Sequence, residues 1–218
     1  MKIKINIDVK VGRLVQYFIL ADFFLLAGWG FIDPLFSIFI IQHIVGATLS
    51  TVGIATAIYW LTRSLLQLPI ANYLDKTPGE KDDFMVLIGG MFLAGASAIA
   101  TVWVTTVWEL YAIHAVHAVA FAMYYSSWPT IFSRHLDKDK ISLDWSLDSV
   151  AIGIAAGFTG LLGGVVAEAW GFPVVFIAGG ILSFIAAFIL FAVPDLVLPK
   201  AKESETELRS HEPADMGV

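Results

Sequence analysis

The chain has 218 residues, of which 58% are hydrophobic and 15% charged, with a mean hydropathy of +0.78. A soluble domain is about half apolar and a quarter charged, so this composition excludes a soluble protein and indicates an integral membrane protein. The chain has no cysteine, which excludes disulfides, thiol nucleophiles and cysteine metal sites.

Residues 1–13 form a basic N-terminal arm that is predicted to be cytoplasmic. Within it, residues 2–11 alternate strictly between polar and apolar side chains. A period of two is typical of an extended segment that pairs with another edge, but a disordered or interfacial arm is the alternative. The arm runs into a long apolar segment without a small-residue cleavage site, so we expect no signal peptide to be removed.

Six apolar segments follow, each near the roughly twenty residues that a helix needs to cross a bilayer. They predict an all-α, six-helix transmembrane domain over residues 14–196, with spans near 14–42, 49–71, 84–104, 109–132, 148–167 and 173–196. Residues 197–218 are acidic and predict a disordered cytoplasmic tail.

Lysine and arginine lie before span one, between spans two and three, after span four and in the tail, whereas the other three connections contain none. The positive-inside rule therefore predicts a multi-pass protein of the cell membrane with both termini in the cytoplasm. Arg63 is the only lysine or arginine within a predicted span.

Span one carries two carboxylates, Asp22 and Asp33, with Trp29 between them. On a helix, residues eleven apart point within about 20° of each other, so both acids share one face. A charge at mid-bilayer costs roughly 2.5–3.5 kcal/mol on insertion scales, which predicts a wet or paired environment. Asp22 and Arg63 of span two lie at similar depth and are the best candidates for a buried ion pair. That pair is either purely structural or able to release Asp22 for a proton.

The connection between spans two and three reads ANYLDKTPGEKDDF. It resembles the signature loop of the major facilitator superfamily, in which a glycine is followed after four residues by Asp-Arg, then glycine and basic residues. Asp75, Lys76 and Gly79 match this pattern. The departures are Ala71 for the leading glycine, one inserted residue, and Glu80-Lys81 for the basic pair. The resemblance implies that Asp75 docks on a helix of the other half of the transporter, and a solvated loop acid is the alternative.

Span four carries a stripe of aromatic and histidine side chains that recurs every three to four residues. Two imidazoles near mid-membrane would not face lipid, so the stripe is predicted to face protein or a water-filled cavity. In the superfamily's fourth-helix pattern, Arg-x-x-Gln-Gly, His114 falls at the arginine, which in the family is tied to proton coupling, and His117 falls at the glutamine.

Span five contains Gly153, Gly157, Gly160, Gly163 and Gly164. Small residues at this spacing let two helix backbones approach closely. The span is similar to the glycine-rich fifth helix of the superfamily, although the usual Gly-Pro pair is absent.

The resemblance covers nearly the whole chain but corresponds to one half of a twelve-helix transporter. It implies an inverted pair of three-helix units, with Asp33-Pro34 and Trp128-Pro129 as corresponding breaks. A six-helix unit with both termini on one side can pair with its own copy, which predicts a parallel homodimer around a central cavity. A heterodimer with a separately encoded half is the alternative.

The predicted function is proton-coupled secondary transport of a small solute. In the superfamily, spans one, two, four and five line the cavity, and aromatic rings there suit a hydrophobic or cationic solute. The candidate binding residues are Trp29, Tyr59, Gln67, Tyr111, Phe121, Tyr124, Tyr125 and Trp128. The candidate proton-coupling residues are Asp22, Asp33, Arg63, His114 and His117, since imidazole beside carboxylate exchanges protons near neutral pH.

Other functions are less well supported by the sequence. The two histidines are alternatively structural, and they lack further ligands for a metal. The sequence has no Walker-type nucleotide loop and no hydrolase nucleophile motif, so we expect neither an enzyme nor a cofactor. The expected partners are a small solute, protons, the bilayer and a second copy, with no nucleic acid. A non-transporting scaffold, or a subunit that binds lipid or a protein partner, remains the alternative function.

Overall fold

A computed structural model describes residues 12–77 and 79–193, and this part of the chain is almost entirely helical. The six helices, listed in chain order, are α1 (Arg13–His43), α2 (Leu49–Lys76), α3 (Lys81–Ala100), α4 (Val107–Arg134), α5 (Ile141–Trp170) and α6 (Phe172–Phe191). A short 3-10 helix, Thr101–Trp103, extends α3. The predicted all-α fold of six helices is confirmed. Most of the predicted arm and the whole acidic tail lie outside the described residues.

The helix ends follow from local capping chemistry. Thr48 begins α2 and Thr106 begins α4, each with a capping box in which the threonine hydroxyl accepts a backbone N–H from three residues on. Gly171, at φ +84°, turns the chain between α5 and α6 in a conformation that favours glycine. These caps keep the connections at this end of the bundle, residues 44–48, 101–106 and 171, short. We call it the short-loop end, and the opposite end, with Gly12 and Val193, the termini end.

Helix α5 begins at Ile141, well before the predicted start at residue 148. The charged residues before 148 suggested a loop, but Asp144 is buried in the first turn of α5 and accepts a hydrogen bond from the backbone N–H of Asp137 at 3.0 Å. An acid in the first turn is favoured by the positive end of the helix dipole. The charges therefore mark the start of the helix rather than a longer loop.

Four helices, namely α1, α3 with its 3-10 extension, α5 and α6, are long and apolar enough to cross a membrane. The other two, α2 and α4, have 28 residues each, which gives a length of about 42 Å and is sufficient to cross a bilayer. Their mean hydropathy is lower because they carry the polar stripe of span two and the histidines of span four. These polar side chains are therefore the features to explain.

The helices pack in a pattern with internal two-fold symmetry. Helix α1 packs mainly on α5 and α6, helix α4 packs mainly on α2 and α3, and α3 packs on α6. Exchanging α1 with α4, α2 with α5 and α3 with α6 reproduces the same set of contacts. This is the inverted repeat of two three-helix units that the sequence predicts.

The prolines of α1 and α4 give the register of this repeat. Pro34 and Pro129 lie inside their helices at nearly the same distance from the start. When Pro34 is aligned with Pro129, Asp22 of the first three-helix unit is equivalent to His117 of the second. Trp29 is likewise equivalent to Tyr124. The polar and aromatic groups at the centre of the bundle are therefore related in pairs.

Helix α6 approaches two other helices through adjacent glycines. A Cβ atom built on Gly28 of α1 would lie 2.6 Å from the carbonyl oxygen of Gly179, and one built on Gly95 of α3 would lie 2.8 Å from that of Gly180. Ordinary van der Waals contacts of a Cβ atom begin near 3.4 Å. Glycine at these positions is thus what allows the backbones to pack so closely.

Charged residues join α3 to α4 at the termini end. Arg134 Nη1 donates to Asp83 Oδ2 at 2.7 Å and lies 4.0 Å from Glu80, whose other oxygen is 3.5 Å from His135 Nε2. The Asp83 side chain is fully buried, whereas Arg134 is partly exposed. A buried carboxylate needs a partner, so this cluster stabilises the end of the α3–α4 pair.

Replacing Arg134 with glutamine should lower the free energy of unfolding by about 1–2 kcal/mol, because buried Asp83 loses its charged donor. The measurement is thermal or denaturant unfolding of the purified protein in detergent. The matched control, Arg13→Gln, removes an exposed arginine at the start of α1 and should have little effect. Adding Asp83→Asn to Arg134→Gln should recover part of the loss, and no recovery would contradict a pairwise interaction.

The predicted signature loop lies at the same end. Asp75 and Lys76 are exposed in the last turn of α2, and Gly79, at φ +111°, makes the turn towards α3. This positive φ explains the glycine in the motif. Asp75 is exposed in the protomer, and its docking on a helix of the other half of a transporter stays a prediction.

Candidate functional site

A cavity of about 320 Å³ lies inside the bundle. It is lined from the halves of the helices nearer the short-loop end. The predicted site residues that line it are Trp29, Asp33, Tyr59, His114 and His117; the others are Ile32, Phe36, Ser37, Thr56, Trp60, Ser97, Ala98, Thr101, Ile113 and Phe176. Its volume is at the lower end of the range for small-molecule sites, and its lining mixes aromatic rings with a few polar groups, as such sites do.

His117 lies between two aromatic rings at the floor of this cavity. Its imidazole is 3.9 Å from Trp29 and 5.0 Å from Tyr59 between ring centroids, nearly parallel to the latter, and Phe121 packs edge-on at 4.7 Å. The buried Nδ1 of His117 has no hydrogen-bond partner among the described residues. The imidazole of His117 is thus held in place by stacking, with Nδ1 buried among the rings.

Asp33 and the two histidines share the cavity, but they do not touch. The ring centroids of His114 and His117 are 6.4 Å apart. Over residues 12–77 and 79–193, neither histidine has a ring nitrogen within 4.0 Å of an Asp33 carboxylate oxygen. Proton exchange among the three groups would therefore need a bridging water or a bound solute.

The predicted ion pair between Asp22 and Arg63 does not form. Asp22 is buried and accepts a hydrogen bond from the phenolic O–H of Tyr124, while its other oxygen has no partner in the described part of the chain. The two residues are at similar depth, but α1 touches α2 only slightly and packs on α5 and α6 instead. Arg63 faces α4, where aromatic rings surround it.

The guanidinium of Arg63 is held by three rings. Its central carbon is 4.1 Å from the Trp60 centroid, 4.6 Å from that of Tyr125 and 5.5 Å from that of Tyr59. Nη1 also donates to the Tyr59 hydroxyl at 3.3 Å. These cation–π contacts take the place of the expected carboxylate.

The remaining predicted binding residues lie away from the cavity. Trp128 stacks on Phe132 at 4.5 Å and meets Phe18 and Trp145, forming an aromatic cluster towards the termini end. Tyr111 packs on Trp108 near the short-loop end. Gln67 contributes a backbone carbonyl that accepts from Ser126.

The helices that line this cavity differ from the set that the superfamily resemblance implies for the central cavity of a transporter. Within the protomer, α3 and α6 line the cavity through Ser97, Thr101 and Phe176, whereas α5 contributes no described residue to it. The reason is that α5 packs on the far side of α1. The hydroxyls of Ser97 and Thr101 are one turn apart on α3, which is a weak signal in an otherwise apolar helix.

The glycines of α5 divide into two sets. Gly160 lies near Gly30 of α1, and Gly163, whose Cβ would lie 2.8 Å from the Phe31 carbonyl, packs still closer. Gly153, Gly157 and Gly164 have no described atom within 4 Å of a built Cβ. Three of the five glycines noted in span five thus have no described neighbour within the protomer.

No group of three or more histidine, aspartate or glutamate side chains that could hold a metal occurs among the residues that the structure describes. The chemistry of the site therefore depends on its aromatic rings, Arg63, Asp33 and the two histidines.

Comparison with known proteins decides the family. The model of the Major Facilitator Superfamily matches residues 18–214, which is most of the chain. The chain belongs to the major facilitator superfamily. The six helices and the inverted repeat of this superfamily member are therefore those of one half of a major facilitator fold, and the protein is a multi-pass membrane protein.

A curated relative is similar to most of this chain. It is an uncharacterized MFS-type transporter of Methanocaldococcus jannaschii, 24% identical over 195 residues, which are 89% of this chain and 49% of the relative. The chain thus spans about half the length of the curated relative it matches.

Proposed function

We propose that the protein is a secondary active transporter that moves a small solute by alternating access. The observation that carries this proposal is the cavity of about 320 Å³, which is lined by aromatic and titratable groups at the centre of a major facilitator half. Its lining residues lie nearer the short-loop end, and the aromatic cluster around Trp128 packs the other end. A cavity placed towards one end of the bundle, with packed aromatic rings towards the other, supports alternating access.

The same cavity disfavours a non-transporting scaffold. A scaffold or lipid-binding subunit has no need of an internal space wide enough for a solute, with aromatic rings and two histidines around it. The direct test is uptake into proteoliposomes that contain the purified protein. Uptake indistinguishable from empty liposomes across a broad panel of organic anions, cations and neutral compounds would favour the scaffold.

We further propose that the transporter is a parallel homodimer. Only three of the 28 residues of α2, namely Thr51, Ala55 and Leu74, are buried in the protomer, and α5 exposes a face with Gly153 and Gly157. Large apolar side chains on these two helices, such as Leu65 and Leu161, are also exposed. Two little-buried helices suit packing against a second six-helix unit, and the small residues on α5 would let that unit approach closely. Asp75 would then reach the partner protomer.

The oligomeric state is tested by native mass spectrometry of the detergent-purified protein. A homodimer has about twice the 23.8 kDa mass of one chain. A second polypeptide in the complex would indicate a heterodimer, and a monomer that still transports would contradict both.

We propose that transport is coupled to protons through Asp33, His114 and His117. Their shared cavity supports this role, and Asp22, hydrogen-bonded to Tyr124 deeper in the bundle, and Arg63 are the other candidates. A solute that hydrogen-bonds to both Asp33 and a histidine would connect these groups for proton transfer, since they do not contact each other directly.

Replacing Asp33 with asparagine, or His114 with alanine, should abolish the dependence of uptake on a pH gradient. The reason is that either variant removes a group that binds and releases a proton at the cavity. Uptake would be measured in proteoliposomes with and without an imposed gradient. The control Glu168→Gln changes an exposed acid near the short-loop end and should retain coupling. Unchanged coupling in both cavity variants would remove these residues from the mechanism.

A further inference from the structure

Arg63 is an arginine without a carboxylate partner. Its guanidinium touches Trp60 and Tyr125 and donates one hydrogen bond to Tyr59. Over residues 12–77 and 79–193, no carboxylate oxygen lies within 4.0 Å of its nitrogens, and its buried Nε has no hydrogen-bond partner. The hydrogen-bond acceptors found for this group are the neutral hydroxyls of Tyr59 and Tyr125, so within the described residues no anion balances its charge.

Arg134 of α4 has a different environment. Arg134, at the termini end, donates to buried Asp83 at 2.7 Å and lies near Glu80. There the guanidinium has an acidic partner and an evident structural role. Arg63 lies deeper, within a predicted span, where a charge is most costly. Within the described residues the charge of Arg63 meets only ring faces and hydroxyls, which leaves it able to bind an anionic group from outside the protomer.

Arg63 is not itself among the residues that line the cavity, but two of its ring contacts are. Two of the rings that hold it, Tyr59 and Trp60, line the cavity directly. Stacking between rings keeps the guanidinium plane fixed, which preserves its fork of parallel donors for a planar oxyanion. Carboxylate binds such a fork through two charge-assisted hydrogen bonds.

We propose that Arg63 binds an anionic group of the solute, and that the solute joins a carboxylate, or a similar oxyanion, to an apolar or aromatic body. The body would stack near Trp29 and His117 at the cavity floor. This assignment rests on the proposed transport function and specifies its substrate class. It replaces a cationic solute, because the positive charge of Arg63 beside the cavity would repel a cation.

Asp33 provides a second expectation, because its charge should affect the affinity for an anionic solute in the direction opposite to that of Arg63. It lines the same cavity from α1, and an ionised carboxylate there repels an anionic solute. Removing this charge should strengthen binding of the anion or leave it unchanged, while removing Arg63 should weaken it.

The test uses three compounds with one ring and different charges: benzoate, benzamide and benzylammonium. Their binding to the full chain in detergent is measured by isothermal titration calorimetry. We expect benzoate to bind at least about tenfold more tightly than the other two, and Arg63→Gln to remove this preference. Arg63→Lys, which keeps the charge but not the fork, should retain part of it. Arg13→Gln removes an arginine far from the cavity and should leave binding unchanged.

Several results would overturn the assignment. These are tighter binding of benzylammonium, equal or undetectable binding of all three compounds, an unchanged benzoate affinity in Arg63→Gln, or a tenfold loss in Asp33→Asn. Circular dichroism and gel filtration of each variant establish that it is folded. Because binding is measured without a membrane gradient, selective anion binding without uptake in proteoliposomes would contradict the transport function while leaving the anion site intact.

Discussion

Gly28→Ala should destabilise the protein by about 3 kcal/mol or more, at the upper end of what overpacking costs. The added methyl group would lie 2.6 Å from the carbonyl oxygen of Gly179, and backbone atoms cannot move aside as a flexible side chain can. Helices α1 and α6 would have to separate along their length. We expect a lower midpoint of thermal unfolding in detergent and a lower yield of monodisperse protein.

The control for this variant is Gly53→Ala in α2. No described atom lies within 4 Å of a Cβ built on Gly53, and the residue is exposed in the second turn of α2. Alanine there should be neutral or stabilising by up to about 1 kcal/mol, since it has the higher helix propensity. Equal stability of the two variants would show that α1 and α6 can adjust their spacing, and that the glycine contact is not needed for the fold.

The second large effect is expected from Tyr124→Phe, which removes a single hydroxyl. Asp22 is buried, accepts its hydrogen bond from Tyr124, and has no other described partner. The variant leaves this carboxylate without a donor in the bundle centre, at a cost of about 3 kcal/mol. The free energy of unfolding, measured at neutral pH, should fall accordingly.

A double-mutant cycle separates the hydrogen bond from the loss of packing. Asp22→Leu replaces the carboxylate with an apolar group of similar size, and in that background Tyr124→Phe should cost less than about 1 kcal/mol, because no buried acid is left unpaired. A Tyr124→Phe effect of the same size in both backgrounds would mean that the hydroxyl interacts with something other than Asp22. Tyr125→Phe is the matched control, since this neighbouring hydroxyl does not contact Asp22.

Much of the fold could be predicted from the sequence because membrane proteins obey strong local rules. Span length, hydropathy and the distribution of lysine and arginine define six helices, and Pro34 and Pro129 mark the corresponding positions in the two repeats. The start of α5 was misplaced since Asp144 and its neighbours resemble a loop when their burial is unknown. Buried first-turn acids of this kind are visible only once the helix is placed.

The site was harder to predict because depth in the membrane does not specify which helix faces which. Counting residues correctly put Asp22 and Arg63 at a similar level, but it assumed that consecutive spans pack together. Since α1 packs on α5 and α6 instead, the acid meets Tyr124 and the arginine meets Tyr125. Asp33, His114 and His117 do share one cavity, while their part in coupling stays a prediction.

The glycines also show that the sequence does not specify which helix faces which. The sequence emphasises α5, where no described atom lies within 4 Å of a Cβ built on Gly153, Gly157 or Gly164, while Gly28 and Gly179 bring the backbones of α1 and α6 together. Glycine content can be counted along a chain. The side of the helix on which each glycine meets a neighbour depends on the whole bundle.

The adjacent glycines of α6 have a mechanical consequence. Gly179 and Gly180 are consecutive in sequence but contact two different helices, α1 and α3, which belong to the same three-helix unit. One short stretch of α6 therefore sets the distance from the second repeat to both of these helices of the first. Because each residue turns a helix by about 100°, an insertion or deletion just before Gly179 would rotate both contacts away together. Force applied to α1 would reach α3 through α6, so the protomer should deform as one body rather than as two sliding repeats.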